Sequence, residues 1–182
     1  MANSEFEIRG INHLALVCSD MERTVDFYSN VLGMPLIKTI ELPDGGGQHF
    51  FFDLGGENHL AFFWFPDAPA AAPGIAGAAS IPGKGEITSA IGSMNHVALT
   101  IPADKFDEYR AKLKEKGVRV GYILNHDDSP SGVATEMHDG VFVRSLYFQD
   151  PDGILLEFAA YTRELTPEDV RHAPARAVGA SV

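Results

Sequence analysis

Ile11-Asn12-His13-Leu14-Ala15-Leu16-Val17-Cys18 and Met94-Asn95-His96-Val97-Ala98-Leu99-Thr100-Ile101 are two versions of one phrase, Asn-His-aliphatic-Ala-Leu, set 83 residues apart. A phrase repeated at that distance in a chain of 182 residues divides it into two similar halves. The residues downstream of the two copies agree in kind. Asp20 precedes Glu22 to Leu32, where Val25, Phe27, Tyr28, Val31 and Leu32 fall at near-helical spacing. Asp104 precedes Lys105 to Lys116, where Phe106, Tyr109 and Leu113 fall at i, i+3 and i+7. The two aspartates are natural N-caps, and Gly33 and Gly117 natural helix stops. Short segments rich in Val, Ile and Phe come next: 36–42, 49–54 and 59–65 in the first half, and 118–124, 141–148 and 154–161 in the second. Each half therefore reads β-α-β-β-β, an α+β module in tandem. The expected boundaries are 8–66 for the first module, 93–161 for the second, and 67–92 for an Ala/Gly/Pro-rich connector without sustained period. A tail runs over 162–182.

Alternate residues of a strand share a face. Leu14 and Leu16, like Val97, Leu99 and Ile101, form bulky faces suited to packing under helices. The opposite faces carry His13 with Ala15 and His96 with Ala98, so each imidazole has small neighbours and room for something to approach it. In 154–161, Ile154, Leu156 and Phe158 make the bulky face and Glu157 points the other way. A lone histidine on a strand is ordinarily a hydrogen-bonded core or rim residue, and a lone glutamate is ordinarily solvated. The repetition changes the balance: one histidine at one position in two copies, plus a carboxylate that is costly in an apolar strand unless a cation is near. If the two cavity faces converge, His13, His96 and Glu157 form the two-histidine, one-carboxylate set of a metal centre with open positions, expected to hold Fe(II), with Mn(II) the other ion such ligands accept.

Composition limits the partners. The formal charge is −11, with 45% hydrophobic and 21% charged residues, an ordinary globular balance whose acidity repels nucleic acid and anionic membrane surfaces. The longest apolar run, Leu60 to Phe65, is far too short to span a bilayer. Met1 to Gly10 carries Glu5 and Glu7 and lacks an apolar signal region, and Cys18 is the single cysteine; a cytoplasmic location is the simple expectation. The tail and the apolar connector, which two modules do not need, suggest a homo-oligomer, such as a dimer.

With these residues in view, the paired modules resemble the vicinal oxygen chelate superfamily of glyoxalases, fosfomycin- and bleomycin-resistance proteins and type I extradiol ring-cleaving dioxygenases, over about residues 8–161. His138, Leu146-Tyr147, Asp150-Pro151, Gly153 and Glu157 keep the spacing of the extradiol signature, which they resemble except at Glu136, where a small residue, Thr or a β-branched aliphatic is expected. The resemblance implies a cupped mixed sheet around the metal and an extradiol dioxygenase that inserts O2 into a catechol-like aromatic. By the same resemblance His59 is a distal acid–base histidine, and Tyr147 and His138 bond substrate near the metal. Read as residues, His59 also suits a turn, His138 beside Asp139-Gly140 a hairpin turn, and Tyr147 the core. Phe62, Phe63, Trp64, Phe65 and Phe142 offer walls for an aromatic substrate, though most must be core. A glyoxalase-like lyase, isomerase or epimerase is the second reading; it commonly takes a fourth ligand from the last strand of the first module, where 58–66 holds no carboxylate, although Glu57 and His59 are near. A non-catalytic binding protein is the third. His49, His126 and His172 suit surface or loop positions, with His49 near the cavity only if the first sheet curls.

Overall fold

The computed structural model describes residues 8–175; Glu5, Glu7 and the tail beyond 175 lie outside the described residues. The first module runs β1 (His13–Cys18), α1 (Met21–Val25) continued as a π-helical turn (Asp26–Val31), β2 (Leu36–Leu42), β3 (Gly47–Gly55) and β4 (Asn58–Trp64). The second runs β5 (Val97–Thr100), α2 (Phe106–Glu115), β6 (Val120–His126), the two-residue β7 (Val133–Ala134), β8 (Val143–Gln149) and β9 (Leu155–Tyr161). Asp20 caps α1 by accepting the Arg23 N–H. Asp104 does not cap α2, because a 3₁₀ turn over Ala103–Lys105 moves the helix start to Phe106, and Lys105 at the cap position gives the helix no side-chain cap, its ammonium pairing instead with Glu108. Gly33 and Gly117 both take φ of +79°, the left-handed geometry that ends a helix.

Each module builds its own mixed sheet, in the orders β1-β4-β3-β2 and β5-β9-β8-β6-β7. In both, the first strand pairs parallel with the last and lies at the sheet edge. The alternation of Leu and His along β1 is realised as a sharp burial alternation: Leu16 and Cys18 are buried, while His13, Ala15 and Val17 are exposed.

The bulky faces of both sheets and the helices share one core. Leu16, Phe52, Leu60 and Phe62 of the first sheet, Phe27 and Tyr28 of the π-helical turn, Phe106 and Leu113 of α2, and Leu146, Phe148 and Leu156 of the second sheet belong to a single apolar cluster. Tyr28, fully buried, packs on Phe62 and Phe52 and donates its hydroxyl hydrogen to Asp150 across the module boundary. Arg23 and Ser19 bind Asp152, and Lys116 Nζ donates to the carbonyls of Asn30 and Val31. The helical layer is thus held between the two sheets. The histidine-bearing faces consequently point away from this core.

The connector is better ordered than its composition suggested. It has no helix or strand of its own, but Ala78 and Ile81 are buried in a second small cluster with Tyr147 and Leu155, joined by Leu124. It therefore covers part of the outer face of the second sheet. A Cβ on Gly121 would meet Ile81 Cγ2 at 2.8 Å, so glycine is needed for that approach. Among the described residues, no helix is long and apolar enough to cross a membrane.

Candidate metal centre

The register of the second sheet puts Ala98 beside Glu157 and Tyr147 beside Glu157 on its other flank. His96, just before β5, reaches the same spot: its Nε2 stands 3.0 Å from Glu157 Oε2. Glu157 is 5% exposed, and its burial pushes the carboxyl pKa up. Hydrogen bonding and charge from His96, with the nearby hydroxyls of Ser145 and Tyr147, outweigh that and hold it below the ordinary range. The Tyr147 hydroxyl is itself pushed up to about 12, by burial and then by the charge of Glu157. Its ring meets the His96 imidazole edge-on at 5.6 Å. Ser145 Oγ is fully buried beside the carboxylate without a well-formed hydrogen bond of its own.

His13 starts β1 on the corresponding face of the first sheet, level with His59 of β4. Its Nδ1 faces Asn12 Oδ1 at 2.8 Å, as His96 Nδ1 faces Asn95 Oδ1 at 2.9 Å. His59 donates from Nδ1 to the Asn12 carbonyl at 2.9 Å, which leaves Nε2 as its remaining basic nitrogen. His49 also lies on this face, not in a loop: its ring stacks on Phe63 at 3.6 Å and sits 4.4 Å from Phe51. Burial, then the neighbouring charge of His13, lowers its pKa. Phe63 stacks in turn on Phe65, extending an aromatic wall. Phe62, by contrast, faces the core, fully buried.

The single chain brings only some of the expected site residues together. Among the described residues, no group of three His, Cys, Asp or Glu side chains is close enough to hold one ion, so His13 does not join His96 and Glu157. The reason is the shared core: both bulky faces pack into it, so each histidine face is directed away from it. His138 is likewise occupied elsewhere. It accepts the Gly140 N–H at Nδ1 and faces Asp127 Oδ2 with Nε2 at 3.1 Å, so it orders the loop before β8. His126, expected in a loop, ends β6 instead.

The residues that do meet suit a divalent cation. Two donors each about 2.1 Å from one octahedral ion stand about 3.0 Å apart, the separation that His96 Nε2 and Glu157 Oε2 show. The internal repeat also tells where a fourth protein donor would stand. Ala15 corresponds to Ala98 at the same 83-residue offset, and Ala61 pairs with Ala15 as Glu157 pairs with Ala98. The position equivalent to Glu157 in the first module is therefore Ala61, which brings no donor. Glu57 stands in the turn before β4, at φ +62°.

Residues 10–158 match the Glyoxalase/Bleomycin resistance protein/Dioxygenase superfamily. The chain belongs to that superfamily. It is 28% identical over 151 residues to the metallothiol transferase FosB of Lysinibacillus sphaericus (strain C3-41), covering 83% of this chain and 82% of that one. To the putative ring-cleaving dioxygenase MhqE of Bacillus subtilis (strain 168) it is 24% identical, covering 93% of this chain and 62% of MhqE. Its fold is similar to that of the fosfomycin resistance protein FosX from Listeria monocytogenes complexed with Mn(II) and sulfate, with TM-score 0.54, 20% identity and coverage of 85% and 94%. The superfamily thus includes metal-dependent enzymes of several reaction types, and members of it bind divalent metals.

Proposed function

We propose that the protein is a cytoplasmic, Fe(II)-dependent dioxygenase of the extradiol type, with Mn(II) as the other ion its ligands suit, acting on a catechol-like aromatic and O2. We infer further that each working site is shared by two copies of the chain, His13 coming from one and His96 with Glu157 from the other. The observation that carries this reading is the donor arrangement: a His96–Glu157 pair at metal-ligand separation, a matching His13 half-site on another edge strand, and an alanine where a fourth donor would stand.

His13, His96 and Glu157 would hold the ion as three protein donors and leave it open positions for reactants. A bound ion would supply a charged template that gathers both reactants. The chain's own residues do the rest. The Nε2 of His59 takes a proton from a substrate hydroxyl, since Nδ1 is committed to Asn12. Tyr147, whose hydroxyl pKa burial pushes up to about 12, donates to a substrate oxygen. Phe51, Phe63 and Phe65, with the His49 ring between them, give a planar substrate an apolar wall. His138 orders the loop before β8 from its bond to Asp127.

Sharing between copies follows from where the half-sites lie. β1 and β5 are both sheet edges, whose unpaired backbone groups invite another strand. The outer face of the first sheet also exposes Val17, Ile40 and Phe65. A two-fold pair that sets β1 of each copy near β5 of the other would complete two identical sites.

The test is anaerobic loading with Fe(II) or Mn(II), then O2 uptake with a panel of catechols, watching for the yellow ring-fission product. Stoichiometric O2 consumption with ring opening is expected. Turnover under strict anaerobiosis, or with a thiol in place of O2, overturns the dioxygenase reading.

A further inference from the structure

We propose that Asn12 and Asn95, the residue before each repeated histidine, are positioning residues that hold the imidazoles with the hydrogen on Nδ1 and Nε2 free for the ion. The inference rests on the reading of His13, His96 and Glu157 as metal donors.

Asn95 is the decisive residue, because its amide orientation is fixed from outside the site. Its Nδ2 donates to the Ile87 carbonyl at 2.8 Å and to Ser89 Oγ at 3.2 Å. A carbonyl only accepts, so the nitrogen end must face the connector and Oδ1 must face His96. Oδ1 also only accepts, so the 2.9 Å contact requires His96 Nδ1 to donate. His96 Nε2 is then the nitrogen that addresses Glu157. In the first module the Asn12 Oδ1 to His13 Nδ1 contact, 2.8 Å, repeats this geometry, while the Asn12 main-chain oxygen receives His59. Both histidines are thereby presented with the same nitrogen forward.

Metal-bound histidines gain basicity and a fixed ring orientation when the second nitrogen donates to a neighbour, and loss of such a neighbour costs about 10–100-fold in metal affinity. This gives the connector a role as well. Residues 87–89 hold Asn95, Asn95 holds His96, and His96 meets Glu157. The segment that separates the modules is part of the site's support.

Two measurements decide the matter. In metal-free protein labelled with ¹⁵N-histidine, the E157A variant removes the competing carboxylate, and His96 is expected to show the Nδ1–H tautomer in long-range ¹H–¹⁵N spectra. Adding N95A should give a mixture of tautomers, and N95D should restore the single form. In otherwise unaltered protein, N95A is expected to weaken Zn(II) binding about 10–100-fold, N12A similarly, and N95D to recover most of it. An Nε2–H tautomer in E157A, or the same tautomer and the same Zn(II) affinity with and without Asn95, overturns the proposal. If unaltered protein binds no metal, the proposed function falls, while the metal-free spectra still decide the role of Asn95.

Discussion

Glu157 shows how one charged side chain in an apolar strand can be sustained. Its neighbours on β9, Leu156 and Phe158, are core, yet its carboxyl is held below the usual range by the donors around it. His96 and the two hydroxyls supply that balance without a lysine or arginine. In the proposed function His59 and Tyr147 act beside the ion while Glu157 holds it, so their loss should separate chelation from chemistry. His59→Ala is expected to keep full metal content and to lower kcat by about 10²–10⁴-fold, the usual range for a general acid–base group. Tyr147→Phe should show a smaller loss with metal retained. Metal analysis beside steady-state kinetics checks both; unaltered rates in the two variants would remove these residues from the reaction.

At the scale of elements, the contact between the π-helical turn and the loop before β9 ties the modules together and has a pH signature. Asp150 accepts the Tyr28 hydroxyl hydrogen and the N–H groups of Asp152 and Ile154. Burial raises its pKa from 3.8 to about 6, against the opposing effect of these bonds. A carboxyl raised in the folded state binds more protons there than in the unfolded chain over that interval. Its contribution to stability is complete below about pH 4 and is lost as pH rises to about 6, a change of roughly 3 kcal/mol. Asp150→Asn keeps an acceptor for the backbone and does not titrate. Urea unfolding at several pH values should therefore show unaltered protein losing stability relative to this variant between about pH 4 and 6, with a constant difference above. A constant difference across the whole interval would mean that Asp150 is not the group responsible. The connector acts at this scale too: Ala78 and Ile81 pack on Tyr147 and Leu155, so a segment without periodicity still covers a sheet.

For the whole molecule, the proposed sharing of each site between two copies makes mixing of variants decisive. His13→Ala and Glu157→Ala are each expected to bind no metal as pure proteins. Unfolded and refolded together in equal amounts, they should recover about a quarter of the unaltered metal content. Half the pairs would be mixed, and each mixed pair would hold one site with all three donors and one with neither His13 nor Glu157. A site built within one chain would recover nothing. Light scattering should give about twice the chain mass of 19.7 kDa, and a stable monomer that binds metal would exclude sharing.

Much of this was legible in the sequence because periodicity and repetition are local. The Asn-His-aliphatic-Ala-Leu phrase, with its 83-residue offset, determined two like modules, and strand alternation determined that His13, His96 and Glu157 lie on the faces opposite Leu16, Leu99 and Leu156. The asparagines were visible too, but only as part of the repeat; that they stood before both histidines was the signal for the role proposed for them. Which faces meet was not legible. Alternation assigns a residue to one side of a strand and says nothing about what packs there. Long-range packing of Tyr28, Phe52, Phe106 and Phe148 into one core decided that the bulky faces converge and the histidine faces diverge. The positions of His49 and His138 were settled in the same way, by the Phe63 ring and the Asp127 carboxylate, partners 14 and 11 residues distant that no local pattern could name.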